Sequence, residues 1–237
     1  MTIILNLYKQ YTTTHSKIRL IYSHLFLWYC HLGIPFLALY ILDSGDIFVQ
    51  PAFVPGKKIS LRAYNERTDF EEYYKWINDK SVTEYMDDMY PVTYEYAKKS
   101  MRSLASPNLD NVVFIIEAHK EAVGITGLYD INDVHRRART RTMIGEKEKF
   151  GRGYGTESKI LLLSYAFYTI NLHHITSIVQ EQNVASIRSL TKVGCVREGL
   201  LRENSFYKGI WVNDIIFGIT EPDFRPIWEK YNESLKK

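Results

Sequence analysis

Three glycines at alternate positions, Gly151, Gly153 and Gly155, stand directly before a breaker-free apolar run, and this junction constrains the fold more than any other stretch. The run, residues 157–167, is apolar at helical spacing, so a tight turn must feed straight into a helix. Glycine lets the backbone aim several N–H groups at one point and lets a ligand approach with no Cβ in the way. The first helical turn adds unbonded donors and the positive end of the helix dipole. Such a junction suits a phosphate or pyrophosphate, and Arg152 adds charge to it. Two familiar phosphate loops fail on specific residues. Gly155-Thr156-Glu157 lacks the lysine of a nucleotide-triphosphate loop. A dinucleotide fingerprint starting at Gly153 would need a third glycine where Ser158 stands.

Composition narrows the classes. The chain has 237 residues, 46% of them hydrophobic, enough for one good core and an appendage. A net charge of +3 is too small to make nucleic acid or an acidic membrane the main partner. Cys30 and Cys195 are the only cysteines and sit in unlike contexts, so neither a disulfide framework nor a metal site is expected. A reducing, cytoplasmic compartment follows. His173 and His174 open a strand with no further ligands in metal spacing, which also speaks against zinc.

Residues 1–55 read as an apolar extension. From Leu20 to Leu42 there is no Asp, Glu, Lys or Arg, and a bilayer span needs about 20 apolar residues. Ser23, His24, His31, Gly33 and Pro35 interrupt the stretch. Lys9, Lys17 and Arg19 precede it and Asp43 and Asp46 follow it. The positive-inside rule would then place the remaining domain outside, so membrane attachment is disfavoured. A loosely docked extension, or a stretch added by an upstream start, is the alternative.

From residue 56 the pattern is that of a single α/β domain, 56–222, with a C-terminal helical tail at 223–237. A strand is expected at 58–62, a helix at 69–77 capped by Thr68 or Asp69, and a second helix at 93–104. A hairpin follows, 111–118 with 122–129, and then a strand at 138–144 leading into the glycine turn and its helix. Next come a strand at 175–179, a short helix at 184–193, a strand from Val196, a turn at Lys208-Gly209 and a return strand at 211–219. Pro222 and Pro226 bracket the entry to a short final helix.

This order resembles the GCN5-related N-acetyltransferase (GNAT) family. Asn132-Asp-Val-His-Arg-Arg-Ala138 with Met143-Ile-Gly145 resembles the approach to its fourth strand, and Phe150-Gly-Arg-Gly-Tyr-Gly155 its coenzyme pyrophosphate turn. Tyr165-Ala-Phe167, Asn171-Leu-His173, the stretch from Asn183 to Gly194, and Glu198-Gly-Leu-Leu-Arg202 match in register. The nearest branch is that of the ribosomal-protein alanine and spermidine acetyltransferases (RimJ/RimL-like), over residues 56 to 220. The resemblance implies an α+β domain with a mixed, mostly antiparallel sheet and helices on both faces. It also implies an acetyl-CoA-dependent N-acetyltransferase acting on a primary amine, either a protein N-terminus or a small amino compound. An acetyl-CoA-binding module with little or no catalysis is the alternative.

Carried over residue by residue, the resemblance places acetyl-CoA on Met143, Ile144, Gly145, Phe150, Gly151, Arg152, Gly153, Tyr154, Gly155 and Thr156. Asn183 would lie beside the pantetheine arm. Lys192 would reach the coenzyme phosphates, or else is a solvated lysine. Ser186 matches the serine that contacts the departing thiolate in the ribosomal branch. The tyrosine that many members use for that purpose is Leu190 here. The glutamate expected before the last hairpin turn is replaced by Ser205, which leaves Glu203 as the nearest carboxylate and candidate base. Arg139 stands where polyamine-acting relatives carry a glutamate, an argument against a polycationic acceptor. Arg137, Arg139 and Arg141 share one strand face, either over an acceptor or as a solvated surface. Tyr85 falls where this fold lines its acceptor pocket. Cys195 replaces an aromatic and is expected to be small and buried. Relatives often associate, so a homodimer is one assembly the resemblance admits.

Overall fold

Runs of β-branched residues alternate with capped helices along residues 51–86, 90–106 and 110–236, the part that the computed structural model describes. The apolar stretch at 20–42 lies outside the described residues. In chain order the elements are β1 (Val54–Pro55), β2 (Ser60–Arg62), α1 (Glu66–Asn78), α2 (Lys80–Thr83), α3 (Tyr94–Ala105), β3 (Val112–Ala118) and β4 (Glu121–Asn132). They continue with β5 (Arg137–Ile144), α4 (Tyr154–Ser164), β6 (His174–Gln180), α5 (Val184–Lys192), β7 (Val196–Tyr207), β8 (Ile210–Thr220) and α6 (Glu221–Leu235). A π-helical turn, Tyr165–Thr169, follows α4.

The strands form one sheet in the order β1-β2-β3-β4-β5-β6-β8-β7. Of the pairings, β5–β6 is parallel; the others are antiparallel, as expected of a mixed sheet. Successive residues of a strand face opposite sides, and β5 divides its side chains between two cores accordingly. Ala138 joins the larger cluster with Leu161, Leu162, Ile175 and Phe224, so α4 and α6 cover that face. Met143 joins the smaller one with Trp76 and Met101, from α1 and α3 on the other face. Cys195 is buried, in agreement with its small side chain.

Two helices begin earlier than expected, and each carries a contact that the local pattern does not show. Helix α1 starts three residues earlier, at Glu66, because Asn65 is its N-cap and accepts from the Arg67 N–H. Asp69 is drawn elsewhere: it takes Arg62 Nη1 and Nη2 at 2.7 and 2.8 Å and reaches back to the Asn65 N–H at 2.8 Å. The final helix is 15 residues long and contains both prolines. Pro222 lies in the first turn, where a missing N–H is no loss. Pro226 forfeits one bond, but the Thr220 N–H donates to Asp223 at 3.1 Å and Phe224 is fully buried. Burying an aromatic side chain contributes about 1.5–3 kcal/mol, enough to offset that loss.

Candidate active site

β5 and β6 pair only where Arg137, Ala138 and Arg139 meet His174, Ile175 and Thr176. β5 runs on to Ile144 and β6 to Gln180 without further pairing to each other, so the two strands part into a fork. Arg136 holds its root: its carbonyl accepts the His173 and His174 N–H groups, and its guanidinium donates to Asn171 Oδ1 at 2.6 Å.

The register of β5 with β4 decides which of its main-chain groups face the fork. The Gly145 N–H donates to Val123 O on β4 at 2.9 Å, and the register pairs Ile144 with Gly124. In an antiparallel ladder the direction alternates, so Met143, Arg141 and Arg139 spend their main-chain groups on β4. Those of Ile144, Thr142 and Thr140 point to the fork. The exposed strand edge is therefore offered by Thr142 and Ile144, while Met143 contributes a side chain to the opposite core. Gly145 is a packing glycine: a Cβ there would lie 2.0 Å from Trp76 Cε2.

The open edge of β5 leads to the glycine turn. Gly151 and Gly153 have φ of 73° and 90°, the left-handed region that disfavours side chains. Gly153 is the N-cap of α4, and the first intrahelical bond runs from the Glu157 N–H to Gly153 O. The amides of Tyr154, Gly155 and Thr156 thus precede the helix's own hydrogen bonds. A Cβ at Gly151 would meet no atom of the described residues within 4 Å, and at Gly155 the nearest would be Ile144 Cγ1 at 3.8 Å. Gly155 has neither a positive φ nor crowding from its own chain. Its missing side chain leaves space beside Ile144, which suits an occupant from outside the chain. Phe150 and Arg152 are exposed at the rim, and Tyr154 is buried.

Helix α5 forms the other bank. Asn183 is its N-cap, with Oδ1 accepting the Ser186 N–H at 3.0 Å, which leaves the Asn183 amide NH2 as a donor. Ser186 is half-buried and one turn before Ser189, whose Oγ meets Thr156 Oγ1 at 3.1 Å. That contact brings α5 against the start of α4. Lys192 is exposed one turn further. On this side of the sheet a cavity of about 10 Å³ is lined by Thr140, Lys159, Ser177, Leu190 and Cys195, room for about one water. Burial pulls the Lys159 ammonium down to about 8 and pushes the Cys195 thiol up to about 12. Leu190, 1% exposed, belongs to this core.

The opposite face carries Arg137, Arg139 and Arg141. Arg139 pairs with Asp130 at 3.1 Å and lines, with Arg137, Asp110, Thr176 and Ile178, a cleft of about 660 Å³. The Arg141 guanidinium lies over the Tyr129 ring. Tyr85 stacks on Tyr207 with ring centroids 5.3 Å apart, and the Tyr207 hydroxyl donates to Glu84 at 2.8 Å. The segment after α1 is thereby joined to the β7–β8 hairpin. Glu203 sits in a bulge of β7 with φ of 50°, exposed, its N–H donating to Asn213 Oδ1 at 3.0 Å.

Lys58 carries no signature in the sequence. Its Nζ donates to the Arg152 carbonyl at 3.3 Å and lies 3.6 Å from where a Gly153 Cβ would be. Glu157 sets it there, accepting the Lys57 and Lys58 N–H groups at 2.6 and 3.0 Å and the Tyr231 hydroxyl at 2.6 Å. Lys58 and Arg152 are 94 positions apart, so no local motif could reveal the pair.

The family model of the acetyltransferase (GNAT) domain matches residues 58–196. A Bacillus subtilis protein, named as the probable N-acetyltransferase YjcK, is 27% identical over 188 residues, 77% of this chain and 98% of its own length. The Escherichia coli spermidine N(1)-acetyltransferase is 33% identical over 102 residues, 43% of this chain and 54% of its own. Among solved structures, a Vibrio cholerae spermidine N-acetyltransferase in complex with CoA and spermine is similar at a TM-score of 0.65 and 23% identity, over 71% of this chain and 98% of that one. Mycobacterium smegmatis RimJ in complex with CoA-disulfide is similar at a TM-score of 0.59 and 22% identity, over 70% and 83%.

Proposed function

Since the chain belongs to the acetyltransferase (GNAT) family and is an acetyl-CoA-dependent N-acetyltransferase, we propose that its forked strands and glycine turn hold acetyl-CoA for attack by a primary amine. The observation that carries this reading is the unpaired edge of β5 running straight to the unbonded amides at the start of α4. An extended pantetheine chain pairs with such an edge as a strand would. A diphosphate suits the amides of Tyr154, Gly155 and Thr156, with Arg152, Lys58 and Lys192 as surrounding cations. The open space beside Gly151 and Gly155 supports the fit.

Acetyl-CoA supplies an activated acyl carbon. The N–H of Thr142 or Ile144, aimed into the fork, is placed to stabilise negative charge on the carbonyl oxygen. Asn183 offers its amide NH2 to the pantetheine arm. Ser186, on the first turn of α5, would give a proton to the departing sulfur. The amine would enter from the sheet face of Arg139, Arg141 and Tyr85. Relatives act on spermidine by name, but three arginines on the acceptor-side strand favour a small amino compound or a protein N-terminus over a polycation. The reading sets the enzyme in the cytoplasm with its coenzyme. It also allows a homodimer, for which the exposed Phe206, Ile210 and Trp211 offer apolar surface.

The test is release of free thiol from acetyl-CoA over a panel of primary amines that includes an alanine-initiated peptide and spermidine. Turnover with the peptide or a small amine supports the reading, and turnover with spermidine alone overturns the acceptor class. Lys58→Ala is expected to raise the KM for acetyl-CoA about five-fold, as befits one exposed ion pair, with kcat unchanged. The effect should shrink with added salt.

A further inference from the structure

Resting on the reading above, we propose that Ser205 and Asp214 together form the proton acceptor for the incoming amine. The sequence points to neither. Ser205 stands where the resemblance calls for a glutamate, and Asp214 comes from the neighbouring strand.

Register places both groups on the acceptor side of the sheet. Arg139 pairs with Thr176, Gln180 with Asp214, and Ser205 with Val212 two residues from Asp214. Paired residues in a sheet share a face, so Arg139, Ile178, Gln180, Asp214 and Ser205 lie on one side. Gln180 ends the strand that forms one arm of the fork. Tyr207, two residues beyond Ser205, carries the contacts to Tyr85 and Glu84.

The pair is built by the β7 bulge. Between Leu201, opposite Asp214, and Ser205, opposite Val212, β7 has three residues against one in β8. Asn213 fixes the bulge: its Oδ1 takes the Glu203 N–H, and its Nδ2 donates to Glu181 at 3.2 Å. The extra length brings two neutral donors onto one oxygen. Ser205 Oγ and Asn204 Nδ2 donate to Asp214 Oδ2 at 2.8 and 2.7 Å. Asp214 is 4% exposed, and its Oδ1 has no hydrogen-bond partner among the described residues.

A buried carboxylate oxygen without a donor costs free energy, and an arriving ammonium or proton relieves it. Ser205 is half-buried and already directs its proton at Asp214, so its lone pairs are free to receive one. As the ammonium arrives, one of its protons passes to Ser205 Oγ while the Ser205 proton moves to Asp214 Oδ2. The freed amine nitrogen bonds to the acyl carbon and the carbon–sulfur bond breaks. A second nitrogen proton leaves with the thiol, and Asp214 returns its proton to solvent. Among the described residues Glu203 is tied through its main chain, at the exposed outside of the same bulge.

The experiment compares Asp214→Asn, Ser205→Ala and Ser205→Thr with the wild type. It measures melting temperature, acetyl-CoA affinity by calorimetry, and kcat with the best amine of the panel. Asparagine keeps an acceptor for Ser205 and Asn204 and brings an N–H to the unpartnered side, so folding and coenzyme affinity should be preserved. Its kcat should fall about 100-fold, the size of a lost general base. Ser205→Ala should lose a similar factor, and Ser205→Thr, which keeps the hydroxyl, should recover most of it. A kcat within about three-fold of wild type in both Asp214→Asn and Ser205→Ala overturns the pair while leaving the enzyme reading intact. A wild type that binds acetyl-CoA yet releases no thiol with any amine overturns both.

Discussion

Gly153→Asp should weaken acetyl-CoA binding about 100-fold or more, close to about 2.7 kcal/mol on the binding scale, without unfolding the protein. Two effects act, strain on stability and charge on affinity. With φ of 90° and ψ of −1°, position 153 is left-handed, and a side chain there costs about 1–2 kcal/mol. The new carboxylate also stands at the N-terminus of α4, its Cβ 3.6 Å from Lys58 Nζ, repelling a diphosphate and drawing Lys58 towards itself. Gly153→Ala separates the two, since it carries the strain alone: it should lower the melting temperature and leave affinity within about three-fold of wild type. Calorimetry with acetyl-CoA and a parallel thermal melt are the measurements. Affinity within about three-fold of wild type for the aspartate variant would show that the diphosphate sits elsewhere.

Asp69→Ala should destabilise the domain by about 3–5 kcal/mol, as expected when one member of a buried ion pair is removed. Arg62 is 5% and Asp69 1% exposed. The guanidinium makes two bonds to Asp69 and a third to Glu117 at 2.6 Å, tying α1 to β2 and β3. Without Asp69 the guanidinium is left with a single carboxylate, and the Asn65 N–H at the helix start loses its acceptor. The double change Arg62→Met with Asp69→Leu should cost less than Asp69→Ala alone, because the one carboxylate left without a cation is Glu117, whose side chain is 21% exposed and open to hydration. Urea titration of the three proteins decides it. Equal midpoints for wild type and Asp69→Ala would mean that burial, not the ion pair, holds α1 in place.

Local pattern carried the elements well where the signal was strong. The strand at 112–118 and the helix after Thr93 stand within a residue or so of expectation, since β-branched runs and a threonine cap act over a few residues. It failed at α1 and α6, where the deciding partner is distant. Asp69 looks like a cap until Arg62 is seen to take it, and two prolines look like the entry to a short helix until Phe224 is seen in the core. The candidate site divides the same way. The glycine turn was legible because it depends on its own helix, whereas the roles of Asn183 and Ser186 rest on the resemblance. Lys58, the direction of the Thr142 and Ile144 amides, and the Ser205–Asp214 contact were not legible. Their partners are brought together by strand register, and spacing along the chain does not encode register.

By itself the amino-acid order determined that glycines open a breaker-free helix, and that strands and helices alternate on either side of it. Those are short-range consequences of backbone freedom and hydrophobic period. The tertiary structure decided which edge of β5 is left unpaired and which carboxylate lies beneath the bulge. Both depend on where neighbouring strands stop pairing, and that is settled by packing across the whole sheet.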